Sequence, residues 1–452
     1  MRYLAIIVLG GLMTAGSALA GPATWPTSQK VLTKAEQLFQ DGRDALYRGE
    51  FDKAVDLLNK AIAQDTTKSS YRVHLARALQ QLNRLGEAET VLVDVLKGQP
   101  DHVEAGQLLG EIYFRQANWA RVVELLEPLL RFRHDYATYH LLAEAKYNLA
   151  DLENARKYYE EAIKLNADSG PDHYQLGNIY LARNLFALAA ESYQNALRLG
   201  AKSPALHYKL ASAYFNLRNY FGDIGVVTIK GGKPLTIQND WYLIEAVPGK
   251  KDMFRAAPST SAVFQVAKAL DGLGQKPDLL LLRANIYLNA GRFEQANAMF
   301  KQIEATIPAE NKGLFYYYYA QSAFGIGQFE EYLRLLGEAI KLDKKAYAPT
   351  LVDAYAKVAD QYNSAGDLDK YIYYLEKAVE QSPQTAALHL KLSYAYEEAA
   401  KFDKAVAQWR MVLDLEADHP RRLDLLNLIV KYTKAPTTAP TTRPAGGGKG
   451  TT

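Results

Sequence analysis

A chain of 452 residues has length enough for two or three globular domains, and its 48% hydrophobic and 23% charged residues are ordinary for a folded protein. Basic and acidic residues nearly balance, 53 against 50, and alternate along the chain, which argues against a nucleic-acid partner. Cysteine is absent, which excludes a disulfide framework, a thiolate metal site, a cysteine nucleophile and a lipid-modified cysteine.

Met1 to Ala20 reads as a secretory signal peptide: Arg2, an apolar run from Tyr3 to Met13, and Ala18-Leu19-Ala20 before a new first residue, Gly21. The reading predicts an exported chain, periplasmic or extracellular, with no integral membrane span after cleavage. Residues 21–30 are a Pro/Thr-rich leader. From Val31 a helical pattern begins and repeats. Its clearest copy is Pro171 to Gly200, where Leu176, Gly177, Tyr180 and Leu181 mark one amphipathic helix and Ala189, Tyr193, Ala196 and Leu197 a second. The small slot at Gly177 recurs as Gly42, Ala76, Gly110, Ala143, Ala211, Ala284, Ala320, Ala359 and Ser393. A second small slot follows twelve residues later at Ala54, Ala88, Ala155, Ala189, Ala296 and Ala405. A third follows nineteen after the first at Ala61, Ala162, Ala196, Ala339 and Ala378. Val122, Tyr332 and Tyr371 replace the middle alanine, and the repeats at Ala320 and Ala359 are spaced more widely than the usual 34 residues, by steps of 36 and 39.

One repeat is interrupted. Ala262 follows Ala211 by 51 residues where twelve is the rule, so 39 residues are inserted. The insert reads as β-rich. Val226 to Ile229 is followed by Gly231-Gly232, a hairpin signal, then by Leu235 to Ile237, a turn at Asn239-Asp240 and Trp241 to Ile244. Ser259 to Ser261 offers a cap for the helix that resumes. Pro420 opens a last leucine-rich helix through Tyr432, expected to cover the final apolar stripe. Residues 435–452 have almost no apolar side chains and are expected to be disordered.

The spacing of about 34 residues, with its small slots and helix-ending Pro100, Pro308 and Pro383, resembles the tetratricopeptide repeat (TPR). The resemblance implies an all-α fold: a right-handed α-solenoid of about ten TPR helix pairs, with a small β-rich insert in the sixth repeat. The arrangement expected is repeats over 31–222, the insert over 223–258, and further repeats with a capping helix over 259–434.

Chemistry is sparse. No HExxH and no G-x-S-x-G occurs, and Gly446 to Lys449 lacks the spacing of a phosphate loop. His140, His173 and His207 fall near one register but are expected to be solvated or groove-lining, so no metal, no cofactor and no catalytic residue is predicted. The resemblance places the residues three before and one after the small slot in a concave groove. These are Tyr174 and Asn178, Tyr208 and Ser212, Leu281 and Asn285, and Tyr317 and Gln321, with His140 and Glu144 extending the row. Amides and tyrosines suit a protein or peptide ligand. The lysines that grip a terminal carboxylate in chaperone-docking relatives are missing at Tyr174 and Leu281. Trp241, Tyr242, Phe254, Lys250 and Lys251 offer a rival aromatic, basic flap on the insert. The function expected is a non-catalytic protein-interaction scaffold of the cell envelope. The alternative is a carbohydrate-binding protein or enzyme accessory whose site lies between insert and groove.

Overall fold

Helix follows helix because apolar residues recur every three or four positions and each stripe has a neighbour to cover it. In the computed structural model the residues described are 32–222, 226–228, 236–238, 242–246 and 253–433. The chain divides into two compact units, Met1–Leu165 and Asn166–Thr452. The first holds α1 (Lys34–Tyr47), α2 (Phe51–Gln64), α3 (Ser69–Gln81), α4 (Leu85–Gly98), α5 (Val103–Arg115), α6 (Trp119–Leu126), α7 (Tyr136–Asn148) and α8 (Leu152–Leu165). The second begins with α9 (Gly170–Ala182), α10 (Phe186–Arg198), α11 (Pro204–Asn216), α12 (Ala262–Leu273), α13 (Pro277–Asn289), α14 (Phe293–Ile303), α15 (Lys312–Gly325) and α16 (Phe329–Leu342). It ends with a single turn, α17 (Lys344–Tyr347), then α18 (Thr350–Ser364), α19 (Leu368–Gln381), α20 (Ala386–Glu398), α21 (Phe402–Leu415) and α22 (Arg422–Thr433). Apart from α17 and α22 the helices form successive hairpins, from α1 with α2 to α20 with α21.

The small slots are where the helices of a hairpin meet. Ala76, Ala143, Ala211, Ala284, Ala320 and Ala359 are buried, as are the alanines of the second and third slots. A large side chain sixteen residues after the first slot lies over it: Leu58, Leu92, Leu126, Tyr159, Tyr193, Phe300, Leu336, Leu375 and Trp409 all have zero exposure. At Gly177 the fit is tight, since a Cβ there would stand 2.6 Å from Cε1 of Tyr193.

The hairpin turn is also invariant. The residue seven after the small slot has positive φ in every repeat: Gly49, Asn83, Ala117, Ala150, Asn184, Arg218, Gly291, Gly327, Gly366 and Ala400. The next N–H returns to the carbonyl five residues back, as in Leu185 to Tyr180 at 2.8 Å and Asn118 to Tyr113 at 2.8 Å, which satisfies the end of the first helix. The longer steps have a local cause. Two 3₁₀ turns, Glu304–Thr306 and Ala309–Asn311, precede α15, and the extra turn α17 precedes α18.

Between α11 and α12 four short strands, a minor part of the fold, make an antiparallel sheet in the order β1-β4-β3-β2: β1 (Val226–Thr228), β2 (Thr236–Gln238), β3 (Tyr242–Ala246) and β4 (Met253–Pro258). The pairing corrects the expected hairpin after Gly231-Gly232, because β1 pairs with β4, Val226 opposite Arg255, and not with β2. β2 pairs with β3, Gln238 opposite Tyr242. The reason is closure. The chain must return to α11, where Ala262 N donates to Asn219 O at 2.9 Å, Val263 N to Tyr220 O at 3.0 Å and Asn219 Nδ2 to Thr260 O at 2.6 Å. An unforeseen strand, β4, makes that return and lies beside β1. Leu243, Ala256 and Ala257 are buried, and Ser261 Oγ caps α12 by accepting from Phe264 N.

The last helix, α22, buries Leu425 and stacks Tyr432 on Phe402 at 4.5 Å and on Trp409 at 5.9 Å. It covers the preceding stripe but presents one of its own, with Leu423, Leu426 and Val430 exposed.

Candidate functional site

In the second unit each first helix packs on its own hairpin partner, and from α9 to α15 the first helices of successive repeats also touch: α9 with α11, α11 with α13, α13 with α15. The side chains expected to bind sit on this row, and all eight are half-buried. Their chemistry differs from position to position. Tyr193 donates its hydroxyl to Asn178 Oδ1 at 2.9 Å, and Asn178 Nδ2 donates to Gln175 Oε1 at 2.9 Å. Asn178 therefore serves the hairpin, and Tyr174 packs beside Tyr193 at 5.9 Å. Ser212 Oγ donates to the Tyr208 carbonyl at 3.0 Å. Burial, with Asp278 adding to it, pushes the Tyr208 hydroxyl above its ordinary value. Gln321 hydrogen-bonds the Tyr332 hydroxyl, and Tyr317 stacks on Tyr347 at 5.5 Å.

Asn285 is the exception. It stands where Asn178 stands, one residue after the small slot. The residue that would donate to it is Phe300, which has no hydroxyl. Asn285 Oδ1 is buried with no donor among the described residues. Leu281 lies one turn before it on α13.

On the insert, Trp241, Lys250 and Lys251 lie outside the described residues. Only the backbone of Tyr242 and Phe254 is described, in β3 and β4. The histidines are used one by one: His207 Nδ1 meets Gln265 Oε1 at 2.6 Å, joining α11 to α12, His173 Nε2 meets the Ala167 carbonyl at 3.3 Å, and His140 stacks on Tyr136 at 5.6 Å. Among the described residues no three metal-ligating side chains gather.

The 31 tyrosines have a use that composition does not reveal. Many carry a hydroxyl to a carboxylate of an earlier element. Tyr158 on α8 donates to Glu127 at 3.0 Å, Tyr362 on α18 to Glu330 on α16 at 3.1 Å, and Tyr432 on α22 to Glu397 on α20 at 2.8 Å. Tyr396 does the same to Glu376. These struts hold neighbouring helices in register, each neutral phenol satisfying one charged acceptor.

The first unit holds a cavity of about 320 Å³ lined by Arg77, Glu104, Gln107, Leu108, Glu111 and Arg133. Arg77, Gln107 and Glu111 occupy the same register offsets, one after or three before Ala76 and Gly110, as the row in the second unit. The register rule applied to the earlier repeats would have found them.

The hairpins, slots and turns define a chain of tetratricopeptide repeats. Such scaffolds bind protein partners and are generally non-catalytic. Residues 50–189 match the Tetratricopeptide Repeats-Sensor family and residues 174–220 the tetratricopeptide repeat family. The chain is 29% identical over 123 residues to ER membrane protein complex subunit 2-B of Xenopus laevis, covering 26% of this chain and 41% of that one. It is 35% identical over 80 residues to the inactive TPR repeat-containing thioredoxin TTL3 of Arabidopsis thaliana, covering 18% of this chain and 12% of that one. It thus spans about two fifths of the length of the first of these relatives. Among solved structures, MamA from Desulfovibrio magneticus RS-1 is similar at 22% identity and a TM-score of 0.35, covering 37% of this chain and 96% of that one. Similarity to subunits of an ER membrane complex overturns the exported, periplasmic or extracellular placement expected above. That expectation rested on one short apolar run outside the described residues, a local pattern with no tie to the repeats that carry the similarity. Among the described residues no helix is long and apolar enough to cross a membrane.

Proposed function

We propose that the chain is a non-catalytic scaffold that binds an extended protein segment along the first-helix row of its second unit, over Tyr208, Leu281, Asn285 and Tyr317. The observation that carries the reading is the buried, undonated Asn285 Oδ1. An acceptor without a donor costs about 1–3 kcal/mol, and turning the half-buried Asn285 side chain outward to accept a backbone N–H of a bound segment would relieve that cost. Leu281 and the tyrosines on either side supply apolar area at low entropy cost. Asn178 and Ser212, already engaged within the hairpins, act as supports and not as contacts. The test is a peptide-library selection on the whole chain, followed by titration of the selected peptides against Asn285→Leu and Tyr208→Ala. Each variant should weaken binding about tenfold or more with unchanged helicity. Equal affinity for wild type and both variants would remove the row from the binding surface.

A further inference from the structure

The cavity of the first unit lies apart from the row just discussed and has a different chemistry. Its volume, about 320 Å³, is at the small end of ligand sites, which run from roughly 300 to 1,000 Å³. Its lining carries Arg77 and Arg133 against Glu104 and Glu111, equal numbers of each sign. The charges are not all cancelled within the protein. Arg77 Nη2 holds Glu104 Oε1 at 2.7 Å, so that pair is closed. Arg133 engages Asp135 through Nε, which leaves the two terminal nitrogens of its guanidinium with hydrogens to give. Glu111 has a hydrogen bond from Gln80 Nε2 at 3.3 Å and no cation within ion-pair reach among the described residues. Glu104 and Glu111 are two turns apart on one face of α5, roughly 10 Å along the axis, so the closed pair and the open carboxylate stand at opposite ends. Between them Gln107 presents an amide and Leu108, 7% exposed, makes the floor.

We infer that this cavity binds a small zwitterion of the α-amino acid or dipeptide class, its ammonium group at Glu111 and its carboxylate at Arg133. A simple anion would meet Glu111, and a simple cation would meet Arg133. Only a molecule carrying both charges answers both side chains. Gln107, on the same lining, has the donor and acceptor to meet a peptide group of that molecule.

The experiment is calorimetric titration of the whole chain with glycine, arginine, glutamate and diglycine at concentrations up to about 10 mM. Each is run beside its N-acetylated and its amidated form, which remove one charge apiece. At least one zwitterion should bind, and its two blocked forms should bind about tenfold or more weakly. Glu111→Gln should abolish the penalty for N-acetylation while keeping the penalty for amidation, and Arg133→Met should do the reverse. The peptides selected on the second unit should bind both variants as they bind wild type, which shows the variants are folded. Absence of binding by every zwitterion, equal binding of blocked and unblocked forms, or variants that leave the penalties unchanged would each overturn the assignment.

Discussion

At single residues the fold is a matter of fit between a small slot and the large side chain over it. Gly177→Ala would push a methyl group into the Tyr193 ring. It should cost about 1–3 kcal/mol in denaturant unfolding, and a change within error would show that the ring moves aside freely. Tyr193→Phe places Asn178 in the condition of Asn285, with an acceptor that has lost its donor. A loss of about 1–2 kcal/mol is expected, and the same substitution should give Asn178 the capacity to bind that Asn285 is proposed to have. The turn makes the opposite prediction. Ala117, Ala150 and Ala400 hold a left-handed conformation that suits glycine. Ala150→Gly should therefore stabilise by about 0.5–1 kcal/mol after the extra unfolded-state entropy is subtracted. A destabilised variant would mean that the alanine methyl group contributes packing that outweighs the strain.

At the level of elements, the insertion between α11 and α12 is tolerated because its two ends meet. Asn219 takes and gives hydrogen bonds across the junction, and His207 ties α11 to Gln265 on α12. α12 can then act as the second helix of its repeat, with Ala262 and Ala269 fully buried. Asn219→Ala removes the bond to Thr260 and should speed hydrogen exchange in the first turn of α12 and in β4, leaving α13 to α16 unchanged. Uniform exchange rates in wild type and variant would show that the backbone bonds alone hold the junction. The exposed stripe on α22 follows from the same repeat logic, since each helix has two flanks and, among the described residues, the last helix has a neighbour on only one.

Across the whole molecule buried tyrosines link stability to alkaline pH. Burial first, and then a carboxylate hydrogen bond, raise the Tyr158 hydroxyl to about 12 in the first unit. Burial raises that of Tyr374 to about 12 in the second. Tyr214, Tyr319, Tyr332 and Tyr371 are raised in the same direction, chiefly by burial. An unfolded tyrosine titrates near 10. The fold therefore prefers the neutral phenol, and this contribution is complete below about pH 10 and is lost as pH rises toward 12. The urea midpoint should hold to about pH 9.5 and fall steeply by pH 11.5, with phenolate absorbance rising in step. Tyr374→Phe should soften the fall, and a flat midpoint across that range would contradict the assignment.

Much of this architecture is local in origin and was readable from residue order alone. The three small slots, their spacing and the interruption between α11 and α12 come from a period that the repeats display, because burial of a helix stripe depends on spacing within that helix. Other features needed distant residues brought together. Whether an amide is spent or open depends on Tyr193 against Phe300 across the hairpin. Which strand β1 chooses depends on where the chain must rejoin α11. The charged cavity exists only where two successive repeats and the segment leading into α7 stand side by side. The left-handed turn at Ala117, Ala150 and Ala400 also belongs to this second kind: alanine gives no sign of it, and the packing of the two helices it joins imposes it.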